Sequence, residues 1–160
     1  MRRKDREITD FTQTCTIIEK CSVLHLGLLD QGKPYIVPVN FGAHFQQPNI
    51  SLYFHGAKTG KKYTLLTELA QDATIVFEAE HDCRVLKHET PCKWSTSYES
   101  VMGEGRVRLL EDDEEKSQAL LAVLKHYGYQ GDDSGYKRAL SSVALFAIDV
   151  TEISCKSKIQ

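Results

Sequence analysis

SVLHLGLLDQGKPYIVPVNFGAHFQQPNISLYFH, residues 22–55, decides the fold class. Leu24, Leu26 and Leu28 alternate against Val23, His25 and Gly27, and Tyr35, Val37, Val39 and Phe41 share one face of the next run. Period-two alternation of this kind marks half-buried strands. The strands are punctuated by DQGK (30–33) and QQPN (46–49), and the third run is ISLYFH (50–55). Turns this short join antiparallel neighbours and leave no room for the crossovers a parallel sheet requires. The segment predicts a three-stranded antiparallel meander, with YIVPVNFGAHF (35–45) as one continuous strand.

Outward from this segment, helices and strands alternate irregularly. A helix is expected from Asp10 to near Lys20, capped by the Asp10/Gln13 pair and carrying Phe11, Cys15 and Ile18 on one stripe. A second is expected from about Lys58 to Ala70, with Leu65, Leu66 and Leu69 inward. ATIVFEAE (73–80) reads as a strand. Ser95 to Leu110 reads as one long strand, with Val101, Val107 and Leu109 on one face and Tyr98, Ser100 and Met102 on another. Gly103 and Gly105 interrupt it, which predicts a bend or a close backbone approach to a ligand. DDEEKSQALLAVLKHY (112–127) is the clearest helix, with acids in its first turn and Leu120, Leu121, Val123, Leu124 and Tyr127 on its buried side. YGYQGDDSGY (127–136) reads as a loop, and SSVALFAIDVTEI (141–153) closes the chain as a strand. The sum is a mainly β, α+β protein: a partly open antiparallel barrel of six strands with flanking helices. The 160 residues, 1–160, fit a single domain.

Composition narrows the function classes. A net charge of −2 gives no broad footprint for nucleic acid. No apolar run is long enough to cross a bilayer, and the charged MRRKDREITD start has no apolar core behind it. Five scattered cysteines do not form a disulfide framework, so a reduced, cytoplasmic protein is expected. His81, Cys83, His88 and Cys92 do not match the ligand spacing of a zinc site, and no metal is expected.

The chemistry-bearing stretch is LYFHGAKTGKK, residues 52–62. A phosphate loop of the nucleotide-hydrolysing kind needs G-x-x-x-x-G-K followed by Ser or Thr. Here Gly56 and Gly60 are one residue too close, and Lys62 stands where the hydroxyl belongs. What remains is a strand, a glycine turn and a helix start, with Lys58, Lys61 and Lys62 beside it. That pattern suits an anion. It also suits a solvated basic turn touching acids such as Glu68.

Three motifs in order, VPVNFG (37–42), LYFHGAKTGKK (52–62) and YESVMGEGRV (98–107), resemble the flavin-binding split-barrel superfamily of pyridoxamine 5'-phosphate oxidase, and within it the 5-nitroimidazole resistance branch. The likeness runs over nearly the whole chain. It implies a homodimer with two interface flavin sites, holding FMN, with FAD as the other option. It implies that Ile36–Phe41 lies along the flavin ring, with Pro38, Val39, Asn40 and Phe41 contributing. It further implies that Gly56, Ala57, Lys58, Gly60, Lys61 and Lys62 hold the phosphate, and that Tyr98, Ser100, Val101 and Gly103 stand near the ring or ribityl chain. His55 matches a histidine beside the flavin, and its titration range suits proton transfer. His25, His44 and His126 are expected in surface or core roles. Trp94 is open between interface packing and flavin contact. The carboxyl-terminal ISCKSKIQ lacks the basic segment with which the vitamin B6 oxidases read their substrate. The implied activity is a flavin-dependent reductase acting on a small electron-poor acceptor such as a nitroaromatic. A flavin carrier or sensor without turnover, and a haem- or deazaflavin-binding relative, are the competing readings.

Overall fold

The computed structural model describes residues 3–69, 73–131 and 140–159. Among the described residues, eight strands and three α-helices follow in the order β1 (Glu7–Ile8), α1 (Phe11–Lys20), β2 (Leu24–Asp30), β3 (Lys33–Val39), β4 (Phe41–Gln46), β5 (Asn49–Ala57), α2 (Lys61–Thr67), β6 (Thr74–Leu86), β7 (Ser95–Leu109), α3 (Asp113–His126) and β8 (Val143–Lys158). All ladders are antiparallel. Seven strands form the path β3-β2-β6-β7-β8-β5-β4, and β1 pairs β8. The strand count is therefore eight in one sheet, not six.

The meander is corrected in an informative way. Residues 35–45 are not one strand between two partners. They break at Asn40 into β3, which pairs β2, and β4, which pairs β5. These two strands lie at opposite ends of the path, yet only Asn40 separates them. Consecutive Cα atoms are ~3.8 Å apart, so Val39 and Phe41 stand within about 8 Å of each other. The sheet must curl until its two edges meet at Asn40, and it stays split because β3 and β4 share no ladder. As an edge strand, β3 tolerates Pro34 and Pro38.

The alternation read from residues 22–55 fills the barrel. Leu24, Leu26, Leu28, Phe41, Leu52 and Phe54 are buried, joined from the other side by Phe77, Val101, Phe146 and Ile148. Phe54 and Phe146 stack at 5.2 Å across the β5–β8 ladder. The β2–β3 turn is tight: Asp30 pairs Lys33, and Gln31 and Gly32 both take positive φ (50° and 80°). That is the geometry of a two-residue primed hairpin.

α3 packs on β4, β5 and β8, where Ala119 and Leu120 join Leu145 and Ala147 in a second core, while α1 and α2 add Ile17, Ile18 and Leu66 to the barrel core. Asp10 caps α1 by accepting from the Gln13 amide at 2.8 Å. The buried side of α1 is Thr14, Ile17 and Ile18, so the stripe is rotated from the expected one; Cys15 is only partly covered. Asp112 caps α3 through the Glu115 amide, and Ala119, Leu120 and Val123 face inward. Tyr127 is not buried as expected. It is 45% exposed and held by its hydroxyl, which donates to the Ser22 carbonyl at 2.6 Å. α2 starts at Lys61 rather than Lys58. Its expected end at Ala70 lies outside the described residues, as do positions 132–136 of the expected 127–136 loop. Among the described residues no helix is long and apolar enough to cross a membrane.

Gly103 and Gly105 serve the framework. The β7–β8 register shifts between Glu104 and Gly105. A Cβ at Gly103 would stand 2.5 Å from the Glu152 carbonyl oxygen, and one at Gly105 would stand 2.6 Å from that of Asp149. Both glycines let β8 approach β7 at the bulge.

Candidate functional site

His55, Gly56 and Ala57 end β5 and pair with Leu145, Ala144 and Val143 of β8. The chain then turns through Lys58–Gly60, and Gly60, at φ 93°, admits it into α2. That conformation suits glycine alone among common residues.

The three lysines of this turn diverge. Lys58 Nζ donates to the Ser141 carbonyl at 2.6 Å. Lys61 Nζ pairs with Asp30 of the β2–β3 hairpin at 2.5 Å and lies over the Tyr35 ring, 4.8 Å from its centroid. Lys62 turns inward. Its Nζ lies 3.5 Å from the His55 carbonyl oxygen and 5.7 Å from the Phe54 ring centroid. A Cβ at Gly56 would come within 2.8 Å of this ammonium, so the missing side chain is what lets Lys62 lie there. Burial lowers the Lys62 pKa, and among the described residues no carboxylate pairs with it.

His55 is the neighbour of that cation. Its Nδ1 is sealed from solvent and has no hydrogen-bond partner among the described residues. Burial, and then the Lys62 charge, lower its pKa, so the neutral imidazole is favoured. The Lys62 ammonium approaches the His55 backbone, and its charge reaches the imidazole. A cation and a hydrogen-bonding group so placed fit an anionic oxygen ligand such as a phosphate.

The other predicted residues fall elsewhere. Pro38 and Asn40 are exposed at the β3 edge, whereas Val39 and Phe41 point into the core, leaving only their backbones for a ligand. The Phe41 N–H is already given to the Tyr127 hydroxyl at 3.2 Å. On β7, Tyr98 and Ser100 face outward, while Val101 is buried at 1% exposure. Leu109, opposite Phe146, marks the level of Phe54. Ser100 lies nine residues down the same strand, or roughly 30 Å of strand at ~3.3 Å per residue. Within one chain, the His55–Lys62 corner and the Tyr98–Ser100 segment are therefore not brought together. Trp94 is half exposed on the β6–β7 hairpin, its indole donating to the His88 carbonyl at 2.7 Å.

Three features escaped the sequence reading. The first is Asp30 as the partner of Lys61. The second is an apolar groove of about 530 Å³ on the outer face of β3, β2, β6 and β7, where Ile36 (69% exposed), Val76 (55%) and Met102 (55%) surround Gly27. Apolar residues at both parities of β3 and β6 were the available signal. The third is His25, which borders this groove with its Nδ1 3.2 Å from Glu78 Oε2. The other large groove, about 560 Å³, lies between β4 and α3 against Phe45, Leu121 and Ala122, and holds none of the predicted site residues. Of its two histidines, His44 and His126, the latter sets Nε2 2.7 Å from the Cys21 carbonyl oxygen and packs on Phe41.

Comparison with known proteins bears on what this arrangement serves. The family model for pyridoxamine 5'-phosphate oxidase matches residues 10–157. No curated protein matches the sequence significantly. Among solved structures, the chain is similar to a candidate 5-nitroimidazole antibiotic resistance protein from Bacteroides thetaiotaomicron VPI-5482, at 27% identity and a TM-score of 0.76, covering 94% of this chain and 85% of that one. It shares its fold with the flavocytochrome Anf3 from Azotobacter vinelandii (17% identity, TM-score 0.75, 100% and 72% covered). It also shares it with an FAD- and haem-binding protein from Mycobacterium smegmatis (16%, 0.76, 97% and 74%).

Proposed function

The chain belongs to the pyridoxamine 5'-phosphate oxidase family of split-barrel proteins, and from that premise we propose that it is a flavin-dependent oxidoreductase acting on a small electron-poor acceptor of the nitroaromatic kind. The observation that carries the reading is the Lys62 ammonium, half-buried without a carboxylate partner among the described residues, at the backbone of His55, whose own Nδ1 is orphaned. In this reading both groups hold the phosphate of FMN, or the first phosphate of FAD, and Lys61 exchanges its contact with Asp30 for a share of that charge. Flavin, when bound, supplies hydride and electron transfer, while the protein positions it and tunes it. His55 gives its hydrogen bond at Nδ1 to the anion, and the approach of that anion offsets the burial that keeps the ring neutral.

The site is proposed to need two copies of the chain. The family's phosphate turn and its Tyr98–Ser100 segment lie roughly 30 Å of strand apart in a single barrel. A second copy would bring its Tyr98–Ser100 segment to the first copy's turn. The proposed assembly is a homodimer with two flavin sites.

The experiment is anaerobic reduction of the flavin-loaded protein with NADH or NADPH, followed by addition of a nitroimidazole or another nitroaromatic. Stoichiometric reoxidation on addition is the expected result. Tightly bound flavin that no acceptor reoxidises would make the protein a carrier or sensor instead.

A further inference from the structure

The His25–Glu78 pair lies outside the phosphate turn, and no predicted role accounts for it. Ladder pairing aligns Pro38, His25, Glu78 and Met102 in one row across β3, β2, β6 and β7, and Ile36, Gly27 and Val76 in the next. Gly27 leaves the centre of this face flat, since a Cβ there would stand 2.6 Å from Val76 Cγ2. The result is an apolar floor with an imidazole on its border.

The imidazole is oriented. Its Nδ1 is sealed and lies 3.2 Å from Glu78 Oε2, short of an aligned hydrogen bond, while the side chain as a whole is 38% exposed. The exposed edge is therefore on the Nε2 side, and His25 lines the groove. Glu78 is itself partly buried, its pKa raised by burial and by Glu80 and drawn down by His25. A carboxylate beside Nδ1 selects the tautomer with the proton on that nitrogen, leaving a lone pair on Nε2. A lone pair at the border of a flat apolar floor accepts from a donor on the rim of a planar ring.

We propose that His25, oriented by Glu78, accepts a hydrogen bond from a ring N–H of a planar heteroaromatic ligand lying on the Gly27–Val76 floor. Resting on the flavin reading above, the ligand group is the imide N–H of the flavin ring. His25 touches the ligand; Glu78 is a positioning residue that acts through His25.

The test is titration of flavin-free protein with riboflavin and with 3-methylriboflavin, which lacks only the imide proton. Neither carries a phosphate, so the Lys62 corner does not enter. Wild type is expected to prefer riboflavin by ~10-fold, the effect of one hydrogen bond with a desolvated partner. His25→Ala abolishes the preference. His25→Phe, which keeps a planar ring on the border but has no lone pair at its edge, also abolishes it. Glu78→Leu, which leaves Nδ1 without its carboxylate and frees the ring to carry the proton on Nε2, lowers it. The double variant His25→Ala/Glu78→Leu loses no more than His25→Ala, because both act through one contact. Thermal midpoints confirm folding, and His25→Phe carries the test if His25→Ala does not fold. Equal binding of the two flavins by wild type, a preference that survives in a folded His25→Ala or His25→Phe, or one unaltered in Glu78→Leu, overturns the proposal while leaving the flavin reading intact. Failure of wild type to bind any flavin overturns both.

Discussion

Replacing Gly103 by alanine separates a framework glycine from a ligand-contact glycine. The new Cβ would meet the Glu152 carbonyl oxygen at 2.5 Å and Phe77 Cζ at 2.6 Å. The phenyl tip can swing, but the carbonyl belongs to the backbone of β8, paired along its length with β7, and cannot. Ordinary contact begins near 3.4 Å, so β7 and β8 must part locally by about 0.9 Å. Overpacking of this size costs ~1–3 kcal/mol. Stiffening of the unfolded chain by alanine offsets ~0.4–1 kcal/mol of it. A net loss of about 1–2 kcal/mol remains. For a chain of this length, each kcal/mol moves the thermal midpoint by ~2–4 °C, so a drop of roughly 2–8 °C is expected. The assay is thermal unfolding of the flavin-free protein, where no ligand effect enters. An unchanged or raised midpoint, with flavin affinity reduced, would show that the glycine is there for the ligand and that the reasoning from β8 is wrong.

Two further outcomes follow from the titrating groups. The folded pKa of His55 lies below its ordinary 6.5, first through burial and then through Lys62. The unfolded chain therefore takes up this proton first. Stability from this group is complete above about pH 6.5 and is lost as pH falls below it. Urea midpoints between pH 8 and 5 should decline less steeply in His55→Gln than in wild type. Burial pushes the Cys21 thiol up to about 12 and that of Cys155 up to about 11, whereas Cys83 and Cys92 are exposed. Alkylation at pH 8 followed by mass spectrometry should label Cys83 and Cys92 in the folded protein, and Cys21 and Cys155 only after unfolding.

What the sequence carried plainly was local. Alternation placed Leu24, Leu26 and Leu28 in the core, and Asp10 announced its helix because a cap is a contact across three residues. Closure of the barrel was not local. Nothing in YIVPVNFGAHF distinguishes a continuous strand from one that turns a corner at Asn40, since both keep the same alternation. The corner is set by which distant strands, β2 and β5, claim each half. The candidate site divides the same way. Gly56, Lys62 and His55 were legible as a cluster because one turn holds them. The divergence of Lys58 and Lys61 was not, because their partners, Ser141 and Asp30, come from other parts of the chain. His25 looked ordinary in sequence. It acquires a setting only when the ladder places Glu78 beside it and clears the floor at Gly27.

The central claim is that the half-buried Lys62 ammonium is held for a flavin phosphate, and FMN and riboflavin affinities of wild type and Lys62→Met measure it directly. Methionine keeps most of the apolar stem of lysine and removes the charged end. Wild type should bind FMN more tightly than riboflavin. Lys62→Met should lose FMN affinity by ~10–100-fold, the worth of one charge-assisted hydrogen bond, with riboflavin affinity unchanged. FMN and riboflavin binding equally to wild type, or FMN affinity unaltered in the variant, would contradict the account.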